Sequence, residues 1–255
     1  KKVFSQTIFR LREGAGISLS KSCRLFGMSR QAIYQEQKRI LNRESELLKV
    51  KHLVLSLRLE MPRIGTRKLY YLLSKQFDQQ GVKIGRDALF DYLRREKLLV
   101  KPMKSYTKTT YSKHWLHKYE NLLKECEIKR PEQVYVSDIT YVKSSRKTHY
   151  LSLVTDAYSR KIMGYKLSDD MSSENVVQAL KMAIQNRKST LPLIHHSDRG
   201  LQYCSAVYTG LLKENGIDIS MTIDGDPYEN AVAERVNGIL KDEFGLGETI
   251  TTTDE

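Results

Sequence analysis

The apolar positions change their period once along this chain, close to residue 131. Upstream the spacing is helical. Residues 19–26 carry one apolar face, Gly27 supplies a left-handed stop, Met28 fills the turn, and Ser29 caps a helix over residues 30–40. A shorter helix over 5–13 precedes this pair and is broken at Gly14 and Gly16. A second stripe, Leu47, Val50, Leu53, Val54 and Leu57, ends at Pro62, and Thr66 caps a helix with Leu69, Leu72 and Leu73 inward. A turn over 81–85 then leads into a helix over 86–96 whose Leu89 and Leu93 face the interior. Residues 101–118 show no apolar period, and 119–128 read as a short amphipathic helix.

Downstream, alternation takes over. Residues 134–142, 150–155 and 161–166 read as three consecutive strands. They are followed by a helix over 172–187, capped by Ser172 or Ser173, with Val176, Val177, Leu180 and Ile184 inward. Then come a strand over 191–195, a helix over 208–215, a strand over 217–221 and a helix over 231–244. Three strands followed by alternating helix and strand give an α/β domain with a mixed sheet of five strands. The expected organisation is a helix-turn-helix domain over 1–41, a second helical, helix-turn-helix-like domain over 42–100, a basic linker over 101–131 and an α/β core over 132–255.

Charge sharpens this division. The 255 residues carry a formal +13, but residues 1–130 hold 30 basic and 12 acidic side chains while residues 131–255 hold 13 and 18. The halves therefore carry +18 and −5, so a polyanion-binding part is joined to a part with another task. No apolar run is long enough for a membrane span and no secretory signal opens the chain, so membrane association is not expected and a soluble, intracellular protein is. Cys23, Cys126 and Cys204 are far apart and odd in number, which fits a reducing compartment. His114, His117 and Cys126 lack a second close cysteine and read as ordinary side chains of a polar linker.

Duplex DNA is the polyanion that the helical half suits. In a helix-turn-helix the second helix enters the major groove with its early residues toward the bases, which selects Arg30, Gln31, Tyr34 and Lys38. The second unit offers Arg86, Arg94 and Arg95 to phosphates or bases. Tyr106, Tyr111 and Trp115 of the linker either stack on bases or anchor the strap, and anchoring is the favoured reading. In the acidic half, Asp138 lies mid-strand among apolar neighbours, where a carboxylate is costly unless a cation or hydrogen bonds compensate it. Asp198 follows a strand at the carboxyl edge of the sheet, and Glu234 lies on the last helix with Asn230 and Lys241 on the same face. Asn230 and Lys241 are candidate DNA contacts; a helix cap and a solvated lysine are their simpler roles. Asp156 sits in a turn and is assigned to structure; Asp224 and Asp226 have a simple account as turn and helix-start residues, with closure of their loop over DNA as the alternative.

Three motifs together resemble a known family. Ser-Asp-Ile-Thr-Tyr-Val around Asp138, His-Ser-Asp-Arg-Gly-Leu-Gln-Tyr around Asp198, and Asn-Ala-Val-Ala-Glu-Arg around Glu234, with 35 residues between Asp198 and Glu234, resemble the integrase core of DDE transposases. The likeness to the bacterial IS3 insertion-sequence family extends through Thr-Asp-Ala-Tyr-Ser-Arg-Lys-Ile-Met-Gly-Tyr and the paired helical modules. It implies an RNase H-like fold in which Asp138, Asp198 and Glu234 form the catalytic triad and the metal ligands. It also implies binding of terminal inverted repeats and metal-dependent strand cleavage and strand transfer by a copy-out, paste-in route.

Oxygen-rich carboxylate sites suit Mg²⁺, with Mn²⁺ as a substitute, and two such ions about 4 Å apart stabilise the attacking and leaving oxygens of phosphodiester displacement. Without cations the three acids repel, which predicts raised pKa values and loose geometry. Joining two transposon ends to target DNA calls for a homo-oligomer, at least a dimer on DNA. Two other functions share these residues: an RNase H-like nuclease that cuts without joining, and a DNA-binding protein without activity. Family members usually continue for several tens of residues past the glutamate helix, so with Glu255 as its last residue and Lys1 as its first this chain is expected to be trimmed.

Overall fold

A computed structural model of the chain describes residues 18–101, 115–124, 126–223 and 230–250. The expected helix over 5–13, Tyr106 and Tyr111, and the acids Asp224 and Asp226 lie outside the described residues. The chain divides into two compact units, Lys1–Glu60 with Ile64–Val100, and Met61–Arg63 with Lys101–Glu255.

In the helical unit, α1 (Leu19–Leu25) is capped by Ser18, whose hydroxyl accepts from the Lys21 amide. It ends at Gly27 (φ +60°), where Met28 N donates to Cys23 O and Gly27 N to Arg24 O, the paired bonds of a left-handed helix stop. Ser29 then accepts from Ala32 N at 3.1 Å and opens α2 (Arg30–Glu60). Cys23 and Ile33 are buried with Leu19, Phe26 and Met28 against them, a small core of its own. The helix expected to stop near Ile40 runs on for 31 residues, so the boundary at 41/42 falls inside it. The intervening Leu-Asn-Arg-Glu-Ser-Glu holds no breaker, Arg43 pairs with Glu46 across one turn at 2.7 Å, and the first proline is Pro62. The far end of α2 buries Val50 and Val54, alongside α3 (Thr66–Gln79) with buried Leu69, Leu73 and Phe77 and α4 (Arg86–Arg95) with buried Leu89 and Leu93. Gly65, not Thr66, holds the cap position of α3; Thr66 is its first residue and is buried.

The second unit is built on β1 (Val134–Lys143), β2 (Thr148–Asp156), β3 (Ile162–Ser168), β4 (Ile194–Ser197) and β5 (Asp218–Met221), ordered β3-β2-β1-β4-β5. β1 to β3 form an antiparallel meander, while β4 is parallel to both β1 and β5. This is the RNase H-like arrangement. α5 (Ser173–Gln185), α6 (Leu201–Cys204) and α7 (Ala206–Glu214) precede and follow β4, and α8 (Ala231–Asp242) closes the described chain. Strand alternation assigns the faces. Tyr135, Val154 and Met163 pack with Val176, Leu180, Tyr208 and Leu212 of α5 and α7. Val134, Val136 and Val142 point the other way, toward Ala233 and Val236 of α8. Gly164 is required where α5 meets β3, because a Cβ there would collide with the Ala179 carbonyl.

Two expectations shift. The strand placed over 191–195 begins at Ile194, since Pro192 cannot donate to a ladder and β4 is paired on both sides. The described residues of 119–128 form no helix. Met221 N donates to Glu120 O and Leu122 N to Ser220 Oγ, so the segment's polar backbone serves the open edge of β5. Its apolar residues Leu123, Cys126 and Ile128 pack on the sheet.

Candidate active site

The parallel pairing of β1 with β4 brings two carboxylates together. Val136 is in register with His196, so two residues further along, beyond the paired positions, β1 and the segment leaving β4 bring Asp138 and Asp198 to the same edge of the sheet. Asp138 shares the face of Val136 and looks toward α8. Its Oδ1 accepts from Ile139 N at 2.9 Å and its Oδ2 from Asn237 Nδ2 at 2.6 Å. Burial first, and then the charge of Asp198, push its carboxyl up to about 7, against those two donated bonds; Glu234 adds a smaller upward push. Asp198 Oδ1 accepts from Gly200 N at 3.0 Å, and a Cβ on Gly200 would stand 3.0 Å from that same oxygen. A side chain at position 200 would press on that carboxylate.

Glu234 occupies the first turn of α8, exposed, with its own carboxyl raised by desolvation. It reaches Asp138 electrostatically, but among the described residues no three His, Cys, Asp or Glu side chains are grouped closely enough to hold an ion. Desolvation is the largest cause of the upward shift at Asp138 and the one cause at Glu234; repulsion between the acids adds to it at Asp138.

Behind Asp138, Ser137 faces the opposite side of the sheet. Its Oγ lies 2.7 Å from His195 Nε2, and the Tyr208 hydroxyl lies 2.8 Å from the same nitrogen. Burial pulls His195 down to about 3, so the ring is neutral and the cluster ties β1 to β4 without a charge. Asp156 is buried and accepts from Glu132 N and from Ser159 N and Oγ, the structural role expected of it.

The Integrase core domain family matches residues 128–227, a span that includes Asp138 and Asp198 and stops seven residues short of Glu234. The chain is 34% identical over 227 residues to the insertion element IS600 uncharacterized 31 kDa protein of Shigella sonnei, covering 87% of this chain and 81% of that one. It is 31% identical over 245 residues to transposase InsF for insertion sequence IS3A of Escherichia coli strain K12, covering 94% and 84%. The chain belongs to the IS3 family of insertion-sequence transposases. It is therefore a polynucleotidyl transferase with an integrase core. Among solved structures, the catalytic domain of Mos1 mariner transposase aligns with TM-score 0.41 and 11% identity, over 48% of this transposase and 65% of that chain.

The remaining expected residues fall into distinct settings. Arg30, Gln31, Tyr34 and Lys38 are all exposed on one face of α2, opposite the buried Ile33. Arg86 and Arg94 are exposed on α4, and each is already paired with a carboxylate of its own helix, Asp87 at 2.9 Å and Asp91 at 2.6 Å. Asn230 is 7% exposed and its amide donates to Ser137 O at 3.2 Å, so it fastens the start of α8 to β1. Lys241 is half-buried two turns beyond Glu234. Trp115, expected as an anchor, is 91% exposed. No helix among the described residues is long and apolar enough to cross a membrane.

Sequence reasoning missed Asn237 and Gly200. Asn237 stands three residues after Glu234 on the face already assigned to Asn230, Glu234 and Lys241, so helical spacing alone could have found it. Gly200 had a weaker signal, a glycine two residues past an acid at a strand end.

Proposed function

We propose that this transposase holds the terminal inverted repeats of its element with the helical unit and cleaves and joins DNA strands with Asp138, Asp198 and Glu234. The carrying observation is the Asp138 and Asp198 pair at the carboxyl edge of two parallel strands, one member raised to about 7 by burial and its neighbour. Such a pair is unfavourable unless protons or cations occupy it, and its oxygen donors suit Mg²⁺, with Mn²⁺ as the substitute. When bound, the divalent ions stabilise charge on the attacking and leaving oxygens of the phosphodiester.

The protein's own groups then have separable tasks. Asn237 holds the Asp138 carboxylate and the Gly200 amide holds that of Asp198, so both oxygens keep a fixed aim. Glu234, exposed on α8, completes the set from the other side. Lys241, on the same helix face, is placed for the DNA backbone. No side chain serves as nucleophile; water attacks in cleavage and the DNA 3′-hydroxyl in joining. Two ends must meet, so the working form is at least a dimer on duplex DNA.

The test is a strand-transfer assay on duplex carrying the terminal repeats, with Mg²⁺, Mn²⁺ or chelator, for the native chain and for Asp138→Asn, Asp198→Asn and Glu234→Gln. Joining that depends on metal and on all three acids is expected. Joining that survives any of the three substitutions overturns the triad.

A further inference from the structure

The second helical module exposes two charged faces, and they differ in what their charges are doing. On α4, Arg86 and Arg94 are engaged by Asp87 and Asp91, whose side chains are 84% and 75% exposed, and Arg95 lies over the Tyr92 ring at 5.4 Å. That face is close to neutral, and a phosphate approaching it meets two carboxylates first. Each exchange of an acid for a phosphate also has to give up an existing pair, weak as exposed pairs are.

α3 carries the opposite pattern. Arg67, Tyr71 and Lys75 recur at four-residue spacing on its outward side, away from the buried Leu69, Leu73 and Phe77. Neither Arg67 nor Lys75 has an acidic partner among the described residues. Tyr71 is 80% exposed between them, with a hydroxyl free to face solvent. The row spans about 12 Å of helix, the length of about three nucleotide steps on one strand of a duplex. Asp78 ends the row on the same side one turn past Lys75.

We infer that the outer face of α3, through Arg67, Tyr71 and Lys75, is the phosphate-binding surface of the second module, and that the arginines of α4 are not. This rests on the reading of the helical unit as a binder of duplex DNA. Arg67 and Lys75 each neutralise one phosphate, and the Tyr71 hydroxyl donates to a phosphate oxygen between them. The surface is indifferent to sequence. It sets the hold on the backbone while base contacts lie elsewhere.

The experiment is equilibrium binding of the full chain to a fluorescent mixed-sequence duplex across a salt series. Each phosphate contact contributes about 0.9 to the slope of log affinity against log salt. Arg67→Ala with Lys75→Ala lowers that slope by about 2, and Arg67→Lys with Lys75→Arg restores it. Tyr71→Phe weakens binding with the slope unchanged, because no charge is lost. Arg86→Ala with Arg94→Ala leaves the slope as it was. A native slope in the α3 double variant, or a drop in the α4 variant instead, overturns the inference. Arg30→Ala with Lys38→Ala is the companion measurement. If it lowers the slope while the α3 variant does not, only the α3 surface is wrong; if no variant moves it, DNA binding by the helical unit is wrong as well.

Discussion

The two units of this transposase bring together the residues proposed for binding and for catalysis by opposite means. On α2 the exposed Arg30, Gln31, Tyr34 and Lys38 come from one helix, a few residues apart, and nothing but helical period is needed to align them. In the sheet unit the acids come from β1, from the residue after β4, and from α8, and Asp138 and Asp198 are 60 residues apart in sequence. The helical face stays solvated and exchanges its charges cheaply. Asp138 is withdrawn from water beside Asp198, so its charge is held at a cost that a cation relieves. A binding surface can therefore be assembled locally and weakly, whereas a catalytic one needs a topology that brings distant residues together under strain.

The sharpest way to break this comparison is at the acids. Divalent ions supply several kcal/mol of transition-state stabilisation, so Asp138→Asn, Asp198→Asn or Glu234→Gln should lower strand transfer by roughly a thousandfold or more while duplex binding at fixed salt stays native. Loss of binding in step with activity would show that the two units are not separable.

Next in size is Asn237→Ala, expected to cost roughly 10- to 100-fold in strand transfer and to raise the Mg²⁺ concentration required, with binding intact. An unaltered metal requirement would show that the bond to Asp138 is only packing. On the helical side, Arg30→Ala with Lys38→Ala should leave turnover on saturating DNA unchanged and lower the salt slope of binding by about 2.

The smallest effect is in pH. Asp138 titrates near 7 in the folded chain against an ordinary 3.8, so the folded state binds the extra proton between those values. Stability from this group is full below about 3.8, declines as pH rises toward about 7, and is flat beyond. Without divalent ions, melting curves of the native chain and of Asp138→Asn should nearly coincide near pH 4 and separate toward pH 8, with the variant the more stable by a few degrees. Added Mg²⁺ should close the gap for the native chain. Parallel curves across the range would mean that the site is not under charge strain.

Legibility in the sequence followed the same division. The helix stop at Gly27 and the cap at Ser29 were readable because each is a local geometric demand that few residues meet. The five strands and their mixed sheet followed from period and order, while motif and spacing single out the three acids proposed as the triad. What escaped depended on contacts between distant segments. Residues 119–128 have an amphipathic pattern suited to a helix, but the unpaired edge of β5 takes their backbone. Asn230 shares a helix face with Glu234, yet the closeness of Ser137 decides that its amide turns inward. The pairing of Arg86 with Asp87 and of Arg94 with Asp91 is within reach of helical spacing, since each acid lies within one turn of its arginine.

On the proposed reading of the helical unit, the length of α2 has a consequence for how a duplex is read. At 1.5 Å per residue its 31 residues make a rod of about 46 Å, with the exposed Arg30 to Lys38 face at one end and the anchor of the second module at the other. No glycine or proline interrupts it, so the two modules are phased by residue count and not by a hinge. One inserted residue would advance the first face by 1.5 Å and turn it by about 100° against the second, leaving both intact and their shared register on the DNA lost.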